Sequence, residues 1–206
     1  MKNIFESKFN TQTGWLALDF ANTAGWHASA SPEEKLLSYS DLIAWAKNAS
    51  IVLPENADKL MTLASSRTGE AAATLSRAIE LREAIYRIVS SKAHGLPAGS
   101  RDLAILNEAI AKEVSNLVVQ QSGSGFDWSW KIDPGRLDSI LVPVVWSAAG
   151  LLTGDSLERV GQCADEKGCG WLFYDTSRNR TRRWCDMQDC GNRAKSKRHY
   201  LKSGKK

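Results

Sequence analysis

The chain has 206 residues, of which 43% are hydrophobic and 24% charged, as in soluble proteins with one large domain or two smaller ones. Its longest nearly apolar run, residues 140–152, is shorter than the ~20 residues that cross a bilayer, and Pro143 interrupts it. Residues 1–10 contain no apolar segment of the signal-peptide kind. We therefore expect no membrane partner and a reducing, cytoplasmic location.

The charge is unevenly distributed along the chain. Residues 1–154 hold 14 Lys and Arg against 16 Asp and Glu, whereas residues 155–206 hold 13 against 7. From Thr176 onward the count is 11 against 2. A basic segment is the usual electrostatic signature of a nucleic-acid-binding surface, and the alternative is a solvated tail.

The first predicted elements are a strand and two helices. Apolar residues alternate over residues 15–20 and predict a strand, and Asp19 and Asn22 at its end either close a turn or line a pocket. Ser31-Pro-Glu-Glu34 has the pattern of a helix start, with a serine cap, a proline and a capping-box glutamate. A second helix is predicted to begin at a Ser40 cap.

The rest of the first 155 residues predicts further helices and one hairpin. Helical spacing or a capping residue indicates helices over residues 54–63, 70–93, 138–152 and after Ser100, and a Gly-rich turn at Gly123 and Gly125 joins strands 116–121 and 126–132. This body, residues 1–155, is expected to be α+β and mostly helical. It shows no Ser/His/Asp, Cys/His or paired-carboxylate arrangement at recognisable spacing, so we predict that the chain is not an enzyme.

All four cysteines lie in the last quarter of the chain. Cys163 and Cys169 form one close pair, Cys185 and Cys190 form another, and fifteen residues lie between the two pairs. Two close pairs separated by a short loop are typical of a four-thiolate zinc site, and a reducing compartment favours metal over disulfides. A closed all-thiolate site is structural, so we predict one structural Zn²⁺ per chain.

The residues around the cysteines predict a small treble-clef-like module. Residues 171–175 read as a strand, residues 176–179 as a turn, and residues 180–185 as the returning partner strand. A helix is then predicted from Cys190 to about Leu201, with its N-terminus beside the thiolate. Such a module buries too little apolar surface to fold alone, so the metal has to supply much of its folding energy.

The same segments resemble a known family. Residues 170–179, residues 182–187 and Cys190-Gly-Asn-Arg193 resemble the CGNR zinc finger over about residues 157–201. Residues 16–23 resemble the start of the ABATE domain, which precedes the finger in that family and is predicted to act in stress-linked transcription regulation. The resemblance implies an ABATE-like domain over residues 1–155 and a finger with a basic tail over residues 156–206.

By this resemblance the four cysteines carry zinc, and the chain is a bacterial transcription regulator. The cations of the finger are then candidate DNA contacts, because arginine suits phosphates and guanine edges; they are Arg180, Arg182, Arg183, Arg193, Lys197 and Arg198. The alternative is that some arginines are internal, with Arg193 bonding carbonyls around the zinc loop and Arg178 pairing with Asp175.

We therefore expect a zinc-dependent DNA-binding regulator. A single finger buries little DNA surface, so we also predict a homodimer through the N-terminal domain, and an unknown small-molecule effector is possible there. Two alternatives remain. One is a protein–protein adaptor with a purely structural zinc, and the other is an enzyme or small-molecule sensor with a site near Asp19 and Asn22.

Overall fold

The computed structural model describes residues 11–130, 132–165 and 167–203. The expectation of no signal segment falls on residues 1–10 and lies outside this part of the chain. The described helices are α1 (Leu16–Ala21), α2 (Tyr39–Asn48), α3 (Pro54–Ser66), α4 (Thr68–Ala93), α5 (Ser100–Glu113), α6 (Val142–Thr153) and α7 (Asn192–Ser203). None of these helices is both long and apolar enough to cross a membrane.

The described strands form three separate antiparallel pairs. They are β1 (Ala24–Gly25) with β2 (Glu33–Glu34), β3 (Leu117–Ser122) with β4 (Gly125–Trp130), and β5 (Val160–Gln162) with β6 (Leu172–Tyr174). The fold is therefore α+β and mostly helical, as predicted, with a small cysteine-bearing module at its C-terminal side.

The core surrounds helix α4. This 26-residue helix packs against α1, α2, α3 and α5, and its last turns contact strands β5 and β6. Helix α1 lies against both α4 and α6, so Leu16, Leu18 and Phe20 are completely buried. The strands of the cysteine module thus pack directly on the helical body.

The strand predicted over residues 15–20 is wrong, because α1 is a helix there. Packing between two other helices buries α1 on nearly every side, which makes Ala17 and Ala21 as buried as the leucines. Both sets of alternating residues are mostly apolar, and an alternation of this kind does not distinguish a strand from a helix that is buried on nearly every side.

The helix predicted to start at Ser31 is also wrong. Glu33 and Glu34 form strand β2 instead, and the Glu34 carboxylate accepts two hydrogen bonds from Arg82 at 2.6 and 2.7 Å. This tertiary pairing outweighs the local capping pattern. The cap of helix α2 is Ser38, two residues before the predicted Ser40, and it forms a reciprocal capping box with Asp41.

The remaining elements of the body are confirmed, with shifted ends. The four helices predicted after Pro54 are present as α3, α4, α5 and α6, although the last is preceded by a 3₁₀ turn at Ser139–Leu141. The hairpin is present in the register Val119 opposite Trp128. Gly123 has the expected positive φ of 59°, whereas Gly125 is the first residue of β4.

In the cysteine module the predicted strand pairing is wrong. Strand β6 forms as expected, but its partner is β5, which precedes the first cysteine, with Gly161 opposite Phe173. Residues 180–185 are irregular, and Arg180 has a φ of 51°. The pairing with β5 lets β6 pack against α1 and α4, which a return strand from the exposed 180–185 segment does not provide.

Candidate metal centre

The four cysteines come together from four places in the module. Cys163 follows β5 and donates its backbone N–H to the Trp171 carbonyl at 2.9 Å. Cys169 lies in the tight loop before β6, Cys185 ends the irregular segment, and Cys190 lies in a π-helical turn at Met187–Gly191 that leads into α7.

The thiols have the spacing of a tetrahedral site. All four sulfur atoms lie within 4.8 Å of one another, with Cys169 and Cys185 Sγ atoms 3.7 Å apart and those of Cys185 and Cys190 3.5 Å apart. A tetrahedron with Zn–S bonds of about 2.3 Å has edges of about 3.8 Å. The four cysteines therefore form a structural zinc site, and four thiolates leave no open position for a substrate or water.

Packing four thiols together changes their pKa values. Hydrogen bonds with Cys163 raise the pKa of Cys169 and Cys185 above the ordinary 9.0, and burial raises that of Cys190 to about 12. The bonds from Cys169 and Cys185 lower the pKa of Cys163 to about 2. Zinc binds thiolates, so zinc binding is coupled to the release of thiol protons.

Two glycines join the metal loop to the helical body. Gly168 and Gly170 have φ values of 90° and 66°, and a Cβ on Gly170 would lie 2.5 Å from the Ala28 nitrogen. The close approach allows His27 N–H to donate to the Cys169 carbonyl at 3.1 Å and Ala28 N–H to the Gly168 carbonyl at 3.2 Å. The position of Cys169 is thus set by the N-terminal domain as well as by its own loop.

Arg193 holds the last thiol. Its guanidinium donates to Cys190 Sγ at 2.8 Å and to the buried Asp165 carboxylate at 2.9 Å, and it also pairs with Asp189. Its Cζ lies 5.1 Å from the ring centroid of Trp26 in the N-terminal domain. Arg193 therefore neutralises thiolate charge and orients the ligand from outside the coordination shell.

Arg182 also makes its hydrogen bonds within the cysteine module. Its guanidinium donates to the backbone carbonyls of Trp184 at 2.9 Å, Tyr174 at 3.3 Å and Cys185, and it stacks on the Phe173 ring at 4.6 Å. It ties the irregular segment to the end of β6. Arg182 and Arg193, both predicted as DNA contacts, are thus structural residues of the metal centre.

The other predicted DNA contacts are exposed. Arg183, Lys197 and Arg198 line one groove of about 1050 Å³ together with Lys167, between the irregular segment and α7. We call these four cations the basic groove; Asp165, Asp189 and Arg193 also line it. Arg180 is exposed on the preceding loop, outside the groove.

Arg178 does not pair with Asp175, the alternative considered for it. The Asp175 carboxylate instead accepts the backbone N–H groups of Ser177 at 2.7 Å and Arg182 at 2.9 Å, and Arg178 is exposed.

The candidate pocket residues Asp19 and Asn22 line a cleft of about 480 Å³ beside Trp45 and Trp171. Their polar atoms are already engaged, however. Asp19 accepts the backbone N–H groups of Gln12 at 2.7 Å and Thr13 at 3.0 Å, and both ends of the Asn22 amide bond the backbone of Leu172. Asp19 thus fixes the chain just before α1, and Asn22 fixes the distant strand β6, while both border the cleft.

Three residues that support the metal centre were not identified from the sequence. Trp26, Asp165 and Asp189 surround the Arg193 guanidinium, but none of them carries a local motif. Trp26 is the hardest to anticipate, because it is far from Arg193 in sequence. Its φ of 49°, a strained conformation for a bulky residue, is visible only in the structure.

The comparisons with known families agree with this anatomy. Residues 14–155 match the ABATE family, which is described as "Putative stress-induced transcription regulator", and residues 159–203 match the CGNR zinc finger. A comparison with curated proteins gives no match.

Proposed function

This chain belongs to the ABATE family and carries a CGNR zinc finger, and on that premise we propose that it is a transcription regulator whose finger binds DNA. The observation that supports DNA as the partner is the basic groove, in which Lys167, Arg183, Lys197 and Arg198 line one concave surface. Four cations at one site would neutralise several phosphates.

The zinc centre gives this surface a fixed shape. The Arg183 backbone carbonyl accepts the Ala164 N–H at 2.9 Å, directly after the ligand Cys163, and α7 begins two residues after the ligand Cys190. Both walls of the groove are therefore anchored to cysteine ligands. A preorganised cationic surface loses less conformational entropy on binding than a flexible tail does.

Helix α7 and the groove offer two kinds of contact. The helix spans 12 residues, about 18 Å, which is enough to lie along a major groove. Tyr200 is 76% exposed at its far end, and the Arg183 guanidinium lies 5.2 Å from the centroid of the Trp184 ring. We propose that the cations contact phosphates and that α7 faces the bases.

We further propose that the protein acts by binding and not by catalysis, that it regulates genes of a stress response, and that it works in the cytoplasm as a homodimer. The closed four-thiolate shell supports the first point, since it has no open position for chemistry. A small-molecule effector, if one binds, would enter the cleft beside Trp45 and Trp171.

DNA binding is tested with the purified zinc-loaded protein and mixed genomic DNA across a salt series. We expect the logarithm of the binding constant to fall linearly with the logarithm of salt concentration. The double variant Arg183→Ala/Arg198→Ala should lower this slope by about 2, since each lost phosphate contact removes roughly 0.9. Sequencing the recovered fragments then identifies the preferred site.

The matched control is Lys59→Ala/Arg101→Ala, which removes two exposed positive charges from the N-terminal domain. It should bind as the parent protein does. Absence of binding at low salt would overturn the proposal and favour the protein–protein adaptor. An unchanged slope in the Arg183/Arg198 variant would move the DNA-binding surface away from the basic groove.

A further inference from the structure

The β3–β4 hairpin stands apart from the rest of the N-terminal domain. Among the described elements, none other than its own partner strand packs extensively against either strand. It is attached mainly at its base, where Trp130 packs on the core and the Trp128 ring lies 5.5 Å from that of Trp146. A two-stranded ribbon is marginally stable in water and gains from further strands.

One face of the hairpin is apolar. The register places Leu117, Val119 and Gln121 of β3 opposite Trp130, Trp128 and Phe126 of β4, and all six share that face. Towards the tip this face is uncovered, because Val119 is 60% exposed and Phe126 76% exposed. We call it the apolar hairpin face.

The outer edge of β3 also lacks the residues that usually prevent an open strand edge from pairing with another strand. Five of its six residues are exposed, and its sequence, Leu-Val-Val-Gln-Gln-Ser, contains no charged residue, proline or glycine. Open strand edges in soluble proteins normally carry lysine, proline or a bulge, which prevent pairing with another strand. An unprotected edge of this kind indicates a strand that is paired in the working protein.

We propose that β3 pairs antiparallel with β3 of a second copy of this chain, about a two-fold axis at Val119. The resulting four-stranded sheet would have a largely apolar face, in which each copy contributes one polar residue, Gln121. Val119 lies near the middle of β3, so pairing it with the partner's Val119 brings residues 117–121 of both copies together. Directly opposite residues project to the same side of a sheet, so this register puts both apolar faces on one side, whereas sliding one strand by a single residue puts them on opposite sides.

The composition of β3 favours a copy of itself over a different strand. Pairing about Val119 sets Leu117 opposite the partner's Gln121 and Val118 opposite the partner's Gln120, with no charge facing a charge. A symmetric interface has to be self-complementary in this way. A foreign peptide would gain no electrostatic preference from this uncharged edge. The inference does not depend on whether the finger binds DNA.

The test measures mass in solution by light scattering over a range of protein concentrations. We expect the parent protein to approach twice its 22.7 kDa chain mass. Val119→Lys places two like charges opposite each other at the axis and should weaken dimerisation at least about tenfold. The control Leu96→Lys changes an equally exposed leucine, 61% exposed on the loop after α4, and should dimerise normally.

A mixing experiment tests the symmetry itself. Val119→Glu should be monomeric alone, and an equimolar mixture of Val119→Glu and Val119→Lys should form dimers, because opposite charges then meet at the axis. Circular dichroism confirms that each variant is folded. A parent protein that stays at 22.7 kDa at every concentration would overturn the proposal, and so would a Val119→Lys variant that dimerises as well as the parent.

Discussion

Asn22 binds the backbone of Leu172 with both ends of its side-chain amide. Its Oδ1 accepts Leu172 N–H and its Nδ2 donates to the Leu172 carbonyl, each at 2.9 Å. Asn22 follows α1 and Leu172 begins β6, and both residues are buried. A single side chain thus completes the hydrogen bonding of a strand in the zinc module from within the ABATE domain.

Asn22→Asp should therefore destabilise the protein. The change replaces a donor with an acceptor, so a carboxylate oxygen would face the Leu172 carbonyl without water to separate them. We expect a loss of about 2–3 kcal/mol in the free energy of unfolding, measured by urea denaturation. Asn107→Asp makes the same chemical change at an exposed position of α5 and should have little effect. Equal stability of the two variants would contradict the structural role.

Gly170→Ala should disturb the contact between the metal loop and the ABATE domain. The added Cβ would lie 2.5 Å from the Ala28 nitrogen and 2.7 Å from the Tyr86 hydroxyl, at a φ of 66° that alanine rarely adopts. We expect the free energy of unfolding, measured by thermal denaturation, to fall by at least about 2 kcal/mol. Gly69→Ala, in the first turn of α4 with open space around it, should instead stabilise the protein by roughly 0.5–1 kcal/mol.

Arg193→Lys should weaken zinc binding although it keeps the positive charge. A lysine ammonium cannot bond Cys190, Asp165 and Asp189 in the planar arrangement of the guanidinium. The parent protein should contain about one zinc per chain, and the variant should lose roughly 10–100-fold in affinity in competition with a chromophoric chelator. Arg198→Lys, an exposed arginine of the same helix, should bind zinc as the parent does.

Glu83 should contribute a pH-dependent part of the stability. Burial acts to raise its pKa, but hydrogen bonds and charge interactions with His27 and Arg82 outweigh burial and lower the pKa to about 2. A carboxyl whose pKa is lowered by folding stabilises the fold above its ordinary value of 4.5 and loses that effect as the pH falls toward 2.

We expect the parent protein to exceed Glu83→Gln in unfolding free energy by about 1–2 kcal/mol near neutral pH, since Glu83 is partly solvent-screened. The difference should close between pH 4.5 and 2. Zinc release in acid affects both proteins, so the difference between them isolates Glu83. Glu80→Gln, at an exposed position of α4, is the control. A difference that persists to pH 2 would assign the effect to packing rather than to charge.

Local sequence patterns predicted an element correctly where its conformation depends mainly on neighbouring residues. The spacing of apolar residues over α4 and the Gly-rich turn of the β3–β4 hairpin predicted those elements, because helical amphipathicity and turn conformation depend on neighbouring residues. Local patterns did not predict the conformations of α1 and β2. There, burial between two helices and the ion pair with Arg82 decided the conformation.

By itself, the sequence determined the metal and the presence of a basic surface. Four cysteines in two close pairs indicate a zinc site, since thiolate chemistry and spacing are properties of the chain alone. Only the tertiary structure decided what each arginine does. Arg182 and Arg193 donate to carbonyls, a thiolate and carboxylates of the module, whereas Arg183 and Arg198 are exposed in the basic groove, which Arg193 also borders. The reason is that a guanidinium can satisfy its donors with buried acceptors or with a partner molecule. Which of these it uses depends on acceptors brought close by folding, such as Asp165 and the ring of Trp26.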